Sequence, residues 1–168
     1  VSKFWENIFK FRQKKTEEID HILLNIPIFQ DLNRSELKTI KRILHQREYV
    51  KNEVIFHEGD VGLGMYIIVE GVVEIVYGPE KQMLAELKAG DFFGELALLD
   101  DSPRNATAVS RTLCQMVCFF KPELFDIINR NPRLGGKILL KLAWTIGERL
   151  KSMNEQVSAL KCIHQKPD

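Results

Sequence analysis

An α+β fold follows from three features of this 168-residue sequence. Between residues 49 and 120, β-branched and aromatic runs alternate with glycine-bearing turns. Before and after that region, apolar residues recur at helical spacing. Proline or asparagine stands where one pattern gives way to the next. Many short strands at this spacing argue for a sandwich or barrel rather than a parallel sheet.

The helices come first. Thr16 is an N-cap with Glu17 and Glu18 in the first turn, and Ile19, Ile22, Leu23 and Ile26 form an apolar stripe that Pro27 ends. Asn33 with Glu36 three residues later opens a second helix carrying Leu37, Ile40, Ile43 and Leu44. From Tyr49 the pattern turns to strands: 54–56, 65–69, 72–77, 83–87, 107–111 and 113–120. Turns at Glu58-Gly59-Asp60, Gly62 with Gly64, Glu70-Gly71, Gly78-Pro79 and Ala89-Gly90-Asp91 separate them. Pro122 opens a short helix, and Asn131-Pro132 restarts it as a long one. In that last helix Leu139, Leu142, Ile146, Met153 and Leu160 follow an imperfect heptad, widened by Leu150 and Val157, with Arg149 and Gln156 at seam positions. Such a stripe pairs with its copy in a dimer or packs on its own domain.

Composition bounds the function. The hydrophobic fraction is 45%, the charged fraction 28% and the formal net charge +1, as in a soluble globular domain with no global drive toward nucleic acid or membrane. No apolar run is long enough to span a bilayer, and the N-terminus is too aromatic and too charged for a secretory signal. The three cysteines, Cys114, Cys118 and Cys162, read as reduced thiols of a cytoplasmic protein, the first two as small core residues of one strand face. Four scattered histidines share no metal-ligand spacing. Asp100-Asp101 reads as a solvated turn, and no set of nucleophile, base and orienting group stands out, so neither an enzyme nor a cofactor is expected. Residues 3–15 set Phe4, Trp5, Ile8 and Phe9 against five basic residues. That segment suits an anionic membrane surface, or packing on its own domain or a partner.

The stretch from Phe93 to Ala108 carries the chemistry. Gly94 lets the backbone approach a ligand closely. Glu95 to Leu99 would form a short helix whose first N–H groups favour an anion. Arg104 adds a permanent planar charge that fits phosphate oxygens two at a time. Glu95 repels phosphate and suits a hydrogen bond from a sugar hydroxyl, with Arg104 offsetting its charge. Phosphate and ribose hydroxyl together describe a nucleotide.

Phe93-Gly94-Glu95-Leu96-Ala97-Leu98-Leu99 followed by Pro103-Arg104-Asn105-Ala106 resembles the phosphate-binding cassette of cyclic nucleotide-binding domains. These are the sensor modules of catabolite-activator-type regulators, cyclic-nucleotide-dependent kinases and cyclic-nucleotide-gated channels. The resemblance extends roughly from Ile26 to Leu150. It implies an antiparallel β-roll, jelly-roll-like with about eight strands, flanked by N-terminal helices and a long C-terminal helix. It divides the chain into a helical extension over 1–25, the roll with its flanking helices over 26–131, and a lid or dimerisation helix with its tail over 132–168.

The resemblance also implies a ligand site of Gly94, Glu95, Leu96, Ala97, Arg104, Asn105 and Ala106. Gly94 and Glu95 would meet the ribose 2′-hydroxyl, Arg104 the cyclic phosphate, and the backbone near Ala106 the phosphate. Ile75 and Leu84 would form apolar wall, and Met153 and Asn154, beside Arg149, would cap the base. Asn105 stands where a hydroxyl residue often favours guanine and a small one adenine, so base preference stays open. The expected ligand is cAMP, with cGMP as the alternative. The implied function is a bacterial-type sensor module that signals to a downstream protein by moving its C-terminal helices. Only Lys161 to Asp168 follow Leu160, so no direct DNA binding is expected, and the chain is either a small sensor or a piece of a larger protein. The rival reading is a degenerate scaffold, in which Glu95 and Arg104 pair with each other and the terminal helices do the work.

Overall fold

Two four-stranded antiparallel sheets face each other, and helices from both ends of the chain cover one of them. The computed structural model describes residues 19–164, with side chains through Ser158. Helix α1 occupies 19–25, followed by a 3-10 turn at Pro27–Phe29 and helix α2 at Arg34–Lys41. The strands are β1 (His45–Tyr49), β2 (Val54–Phe56), β3 (Gly64–Glu70), β4 (Val72–Tyr77), β5 (Gln82–Lys88), β6 (Phe92–Phe93), β7 (Thr107–Ser110) and β8 (Cys114–Phe120). A 3-10 turn, Glu95–Leu98, lies between β6 and β7, and helices α3 (Lys121–Arg130) and α4 (Pro132–His164) follow β8. One sheet has the order β1-β8-β3-β6 and the other β2-β7-β4-β5. This is the antiparallel β-roll that the resemblance implies. Thr16 and the basic aromatic segment 3–15 lie outside the described residues.

Side-chain alternation along β3 builds two cores from one strand. Met65, Ile67 and Val69 point to the helices, where they pack with Leu23, Phe29, Ile40, Phe119, Leu124, Ile138 and Leu142. Tyr66 and Ile68 point into the roll, toward Val73, Phe93, Ala108, Cys114 and Met116. β6 repeats the division in two residues: Phe92 belongs to the helical core and Phe93 to the roll. The cassette that follows is therefore anchored at the junction of both cores.

Local chemistry fixes the helix ends. Asn33 Oδ1 accepts hydrogen bonds from the Ser35 and Glu36 N–H groups at 2.9 and 3.0 Å, while Glu36 accepts from the Asn33 N–H at 2.9 Å. This reciprocal cap is the start that the sequence signals. Glu36 also accepts from Lys137 at 2.8 Å, tying α2 to α4. Asn131 Oδ1 accepts from the Leu134 N–H at 3.2 Å where α4 begins. Leu134, Ile138 and Leu142 are buried against the domain, with Leu139 and Ile146 packed on the same core. The first half of the heptad-like stripe is thus used within the chain itself.

Strands β1 and β6 are absent from the sequence reading. β1 reads His-Gln-Arg-Glu-Tyr, is exposed at its centre, and lies at a sheet edge paired only with β8. β6 is two residues long. Neither carries a run of alternating apolar residues from which a strand could be inferred.

The hydrogen bonds from Lys137 and the Asn33 N–H hold the Glu36 carboxyl below the usual carboxylate range. A carboxyl lowered on folding stabilises the fold fully above its unfolded pKa, near 4.3, and loses that contribution as pH falls through the lower folded value. Glu36→Gln is expected to be less stable than the parent at pH 7 in urea unfolding, with the difference shrinking in the acid range.

Candidate functional site

Gly94 turns the chain from β6 into the 3-10 turn with φ 74°, in the left-handed region that glycine adopts without strain. A Cβ here would also lie 2.6 Å from Arg104 Nη1. The glycine therefore supplies both the turn and the space for the arginine. Ahead of Arg104, Asp100 accepts from the Ser102 N–H and hydroxyl at 3.3 and 2.8 Å, and Asp101 pairs with Lys121 at 2.7 Å. The acidic pair thus shapes a turn, as the sequence suggests. The Arg104 N–H then donates to the Asp60 carbonyl, and the Gly59 N–H to the Arg104 carbonyl, both at 2.8 Å.

Arg104 is only 8% exposed. Its Nη1 donates to the Gly94 carbonyl at 3.0 Å and its Nη2 to the Gly64 carbonyl at 2.8 Å. The guanidinium carbon lies 4.2 Å from the centroid of the Phe56 ring and 5.8 Å from that of Tyr66. Tyr66 in turn stacks on Phe93 at 5.3 Å. Burial lowers the Arg104 pKa from its ordinary value, and the guanidinium remains a cation across the usual pH range. Nε is buried without a hydrogen-bond partner among the described residues. Burial pushes the Tyr66 phenol upward, so it stands beside this cation as a neutral hydroxyl.

Glu95 is 5% exposed, and its partner is not Arg104. Arg149, on α4, donates from Nη1 to Glu95 Oε1 at 2.6 Å and from Nη2 to the Phe92 carbonyl at 3.1 Å. Its guanidinium carbon lies 4.5 Å from the Phe92 ring centroid. The Glu95 charge still acts on Arg104 through space, as the sequence suggests, but the two form no direct pair, and each is held by different groups. The link from Glu95 instead joins the cassette to the last helix.

Beside these residues lies a cavity of about 810 Å³ that is open to solvent. Of the residues expected at the site, Gly94, Glu95, Leu96, Ala97, Arg104, Asn105, Ala106, Ile75 and Met153 line it, together with Arg149. Leu84 and Asn154 do not. Leu84 is the extra residue of a bulge, because Ile75 pairs with Ala85 while Val76 pairs with Met83. It is 56% exposed, and Ala85 and Leu87 form the wall instead. Asn154 lies a helical step beyond Met153 in a separate surface groove with Gly147 and Lys151. The sequence reading missed Phe56, Tyr66 and the Gly64 carbonyl, all held against Arg104 by strand pairing. No metal-binding group of three or more His, Cys, Asp or Glu occurs among the described residues. The Cys118 thiol, pushed up to about 12 by burial, is an unreactive core group.

A roll with this cassette defines a class of nucleotide-binding regulatory domain. Residues 46–131, just over half of the chain, match the family described as the cyclic nucleotide-binding domain, and the chain belongs to that family of regulatory and sensor domains. A candidate potassium channel protein of Rhodopseudomonas palustris is 37% identical over 120 residues, which cover 70% of this chain and 29% of that protein. The cAMP-dependent protein kinase regulatory subunit of Schizosaccharomyces pombe is 27% identical over 139 residues, covering 79% and 34%. The chain thus spans about a third of the length of these two curated relatives. Among solved structures, the catabolite activator protein of Thermus thermophilus superposes with a TM-score of 0.71 at 28% identity, over 80% of this chain and 63% of that one. No helix among the described residues is long and apolar enough to cross a membrane.

Gly94→Ala is expected to destabilise the domain by at least about 1 kcal/mol in urea unfolding, since it combines a left-handed backbone with a clash against Arg104.

Proposed function

We propose that this chain is a cyclic nucleotide sensor that binds cAMP in the 810 Å³ cavity and reports occupancy through α4. The observation that carries the reading is the placement of two buried groups of opposite charge on that cavity, one of them tethered to the last helix. Arg104 has five donors, of which the Gly64 and Gly94 carbonyls take two. The other three donors, including the buried Nε, have no acceptor among the described residues, which supports an anion at this group. Glu95 offers its second oxygen to a ribose hydroxyl while Arg149 holds the first. The cavity volume falls within the range of about 300–1,000 Å³ usual for small-molecule sites. Cyclic AMP is favoured as ligand because the similar kinase regulatory subunit is named for dependence on it.

Signalling follows from the two-sided site. Phosphate and ribose groups are held by the cassette, while Ile146, Arg149, Leu150 and Met153 of α4 face the same cavity. A ligand that touches both elements binds the closed arrangement better than an open one and shifts the population toward it by that difference. α4 also exposes Leu140 and Trp144 on the side away from its buried residues. That supports contact with a second copy of the chain through this helix. Sedimentation of the parent is expected to give a dimer that Leu140→Glu with Trp144→Glu converts to a folded monomer.

Calorimetric titration of nucleotide-stripped protein tests the binding reading. Micromolar or tighter cAMP binding, about −8 kcal/mol, is expected. Arg104→Ala is expected to lose at least about 100-fold in affinity, in line with a buried charge contact worth about 3 kcal/mol or more. Absence of heat on folded, empty protein would favour the scaffold reading.

A further inference from the structure

Strand β2 breaks the alternation that a paired strand normally keeps. Ile55 and Phe56 are neighbours in sequence, yet both pack on the core inside the roll, while Val54 is exposed. Strict alternation would send one of the two outward. The pairing with β7 shows how both turn inward: Val54 pairs with Val109 and Phe56 with Ala108, so Ile55 is an extra residue. Such a bulge re-aims the side chains beside it. Here it brings Phe56 to the cavity and against Arg104, whose guanidinium carbon lies 4.2 Å from the ring centroid.

Phe56 is itself wedged. Its ring lies 5.7 Å from Tyr66 and 5.9 Å from Phe93, tilted by 43° to each, and those two stack on each other at 5.3 Å. These are favourable separations for aromatic pairs. Tyr66 and Phe93 come from the paired strands β3 and β6 of the opposite sheet. The ring against Arg104 is therefore fixed from both sheets.

We infer that Phe56 is a positioning residue for the anion contact: it holds the Arg104 guanidinium in its binding orientation without occupying any of its N–H donors. The inference rests on the cyclic nucleotide reading proposed above. The chemistry of the ring matters. A carboxylate at this place would accept hydrogen bonds and compete with a ligand phosphate for the same donors. An aromatic face attracts the cation through its quadrupole and leaves the in-plane N–H groups open. Among the described residues no carboxylate accepts a hydrogen bond from Arg104; its acceptors are the Gly64 and Gly94 carbonyls, and Glu95 pairs with Arg149. Without the ring the guanidinium gains freedom that a ligand must remove on binding.

Titration with cAMP of the stripped parent, Phe56→Leu, Phe56→Tyr, Arg104→Lys and the double variant tests this, with urea unfolding to establish that each is folded. Phe56→Leu is expected to raise Kd about 3- to 10-fold, the cost of ordering one long side chain. Phe56→Tyr, which keeps a ring, is expected to recover most of that loss. In the Arg104→Lys background, which has no planar fork to align, Phe56→Leu is expected to change Kd by less than about twofold. Should Phe56→Leu fail to fold, Phe56→Met carries the same comparison. An equal loss in both backgrounds would make the ring a general wall of the pocket and overturn the inference. So would a change below about twofold in the parent background. Either result leaves the sensor reading standing. Absence of cAMP binding by the folded parent overturns the sensor reading, and the inference with it.

Discussion

A positive charge held inside a β-roll is the constraint on which the rest of the structure depends. Burying a guanidinium without partners would be prohibitively costly. Here backbone carbonyls and an aromatic face provide the compensation. The Gly64 and Gly94 carbonyls accept from Arg104, and the Phe56 ring lies against its plane. That arrangement fixes other residues in turn. Gly94 must lack a Cβ, Gly64 must let β3 approach Phe119 and Phe120 on β8, and the loop 59–60 must exchange hydrogen bonds with the Arg104 backbone. An orphaned Nε remains, so the stabilisation stops short of saturating the group. An unsatisfied buried donor beside a cavity supports the proposed anion site.

Glu95 lines the same cavity as this cation without pairing with it directly. Its contact with Arg149 reaches 54 positions along the chain, from the cassette to the second half of α4. The first half of α4 is fixed by Leu134, Ile138 and Leu142 in the helical core and by Lys137 on Glu36. Beyond Ile146 the apolar contacts thin out, and Leu150, Met153 and Val157 are exposed. Arg149 therefore stands where α4 passes from a firmly packed helix to a weakly held one. A segment with few buried contacts is the kind that opens and closes at small free-energy cost. The proposed signal would pass from the cassette into α4 at this point.

Much of this was legible in the sequence, for identifiable reasons. The cassette is a local feature: a glycine, a carboxylate, a short apolar run and an arginine in fixed order. The Asn33–Glu36 cap is equally local. Strands rich in Val, Ile and aromatics announced themselves, whereas polar β1 is a strand only because β8 lies beside it. Leu84 misled for a subtler reason. One extra residue in β5 reverses which side chains face inward, and a bulge leaves no compositional mark. The partner of Glu95 was out of reach because spacing along the chain does not say which of several arginines folds back upon it. Likewise, a heptad-like stripe does not distinguish a helix that packs on its own domain from one that packs on a copy.

The central claim is that one ligand engages the cassette and α4 together. Amide hydrogen exchange with and without saturating cAMP measures this most directly. Slowed exchange is expected both across residues 94–106 and around Ile146 to Met153 of α4. Protection confined to the cassette, or absent from both segments, would contradict it.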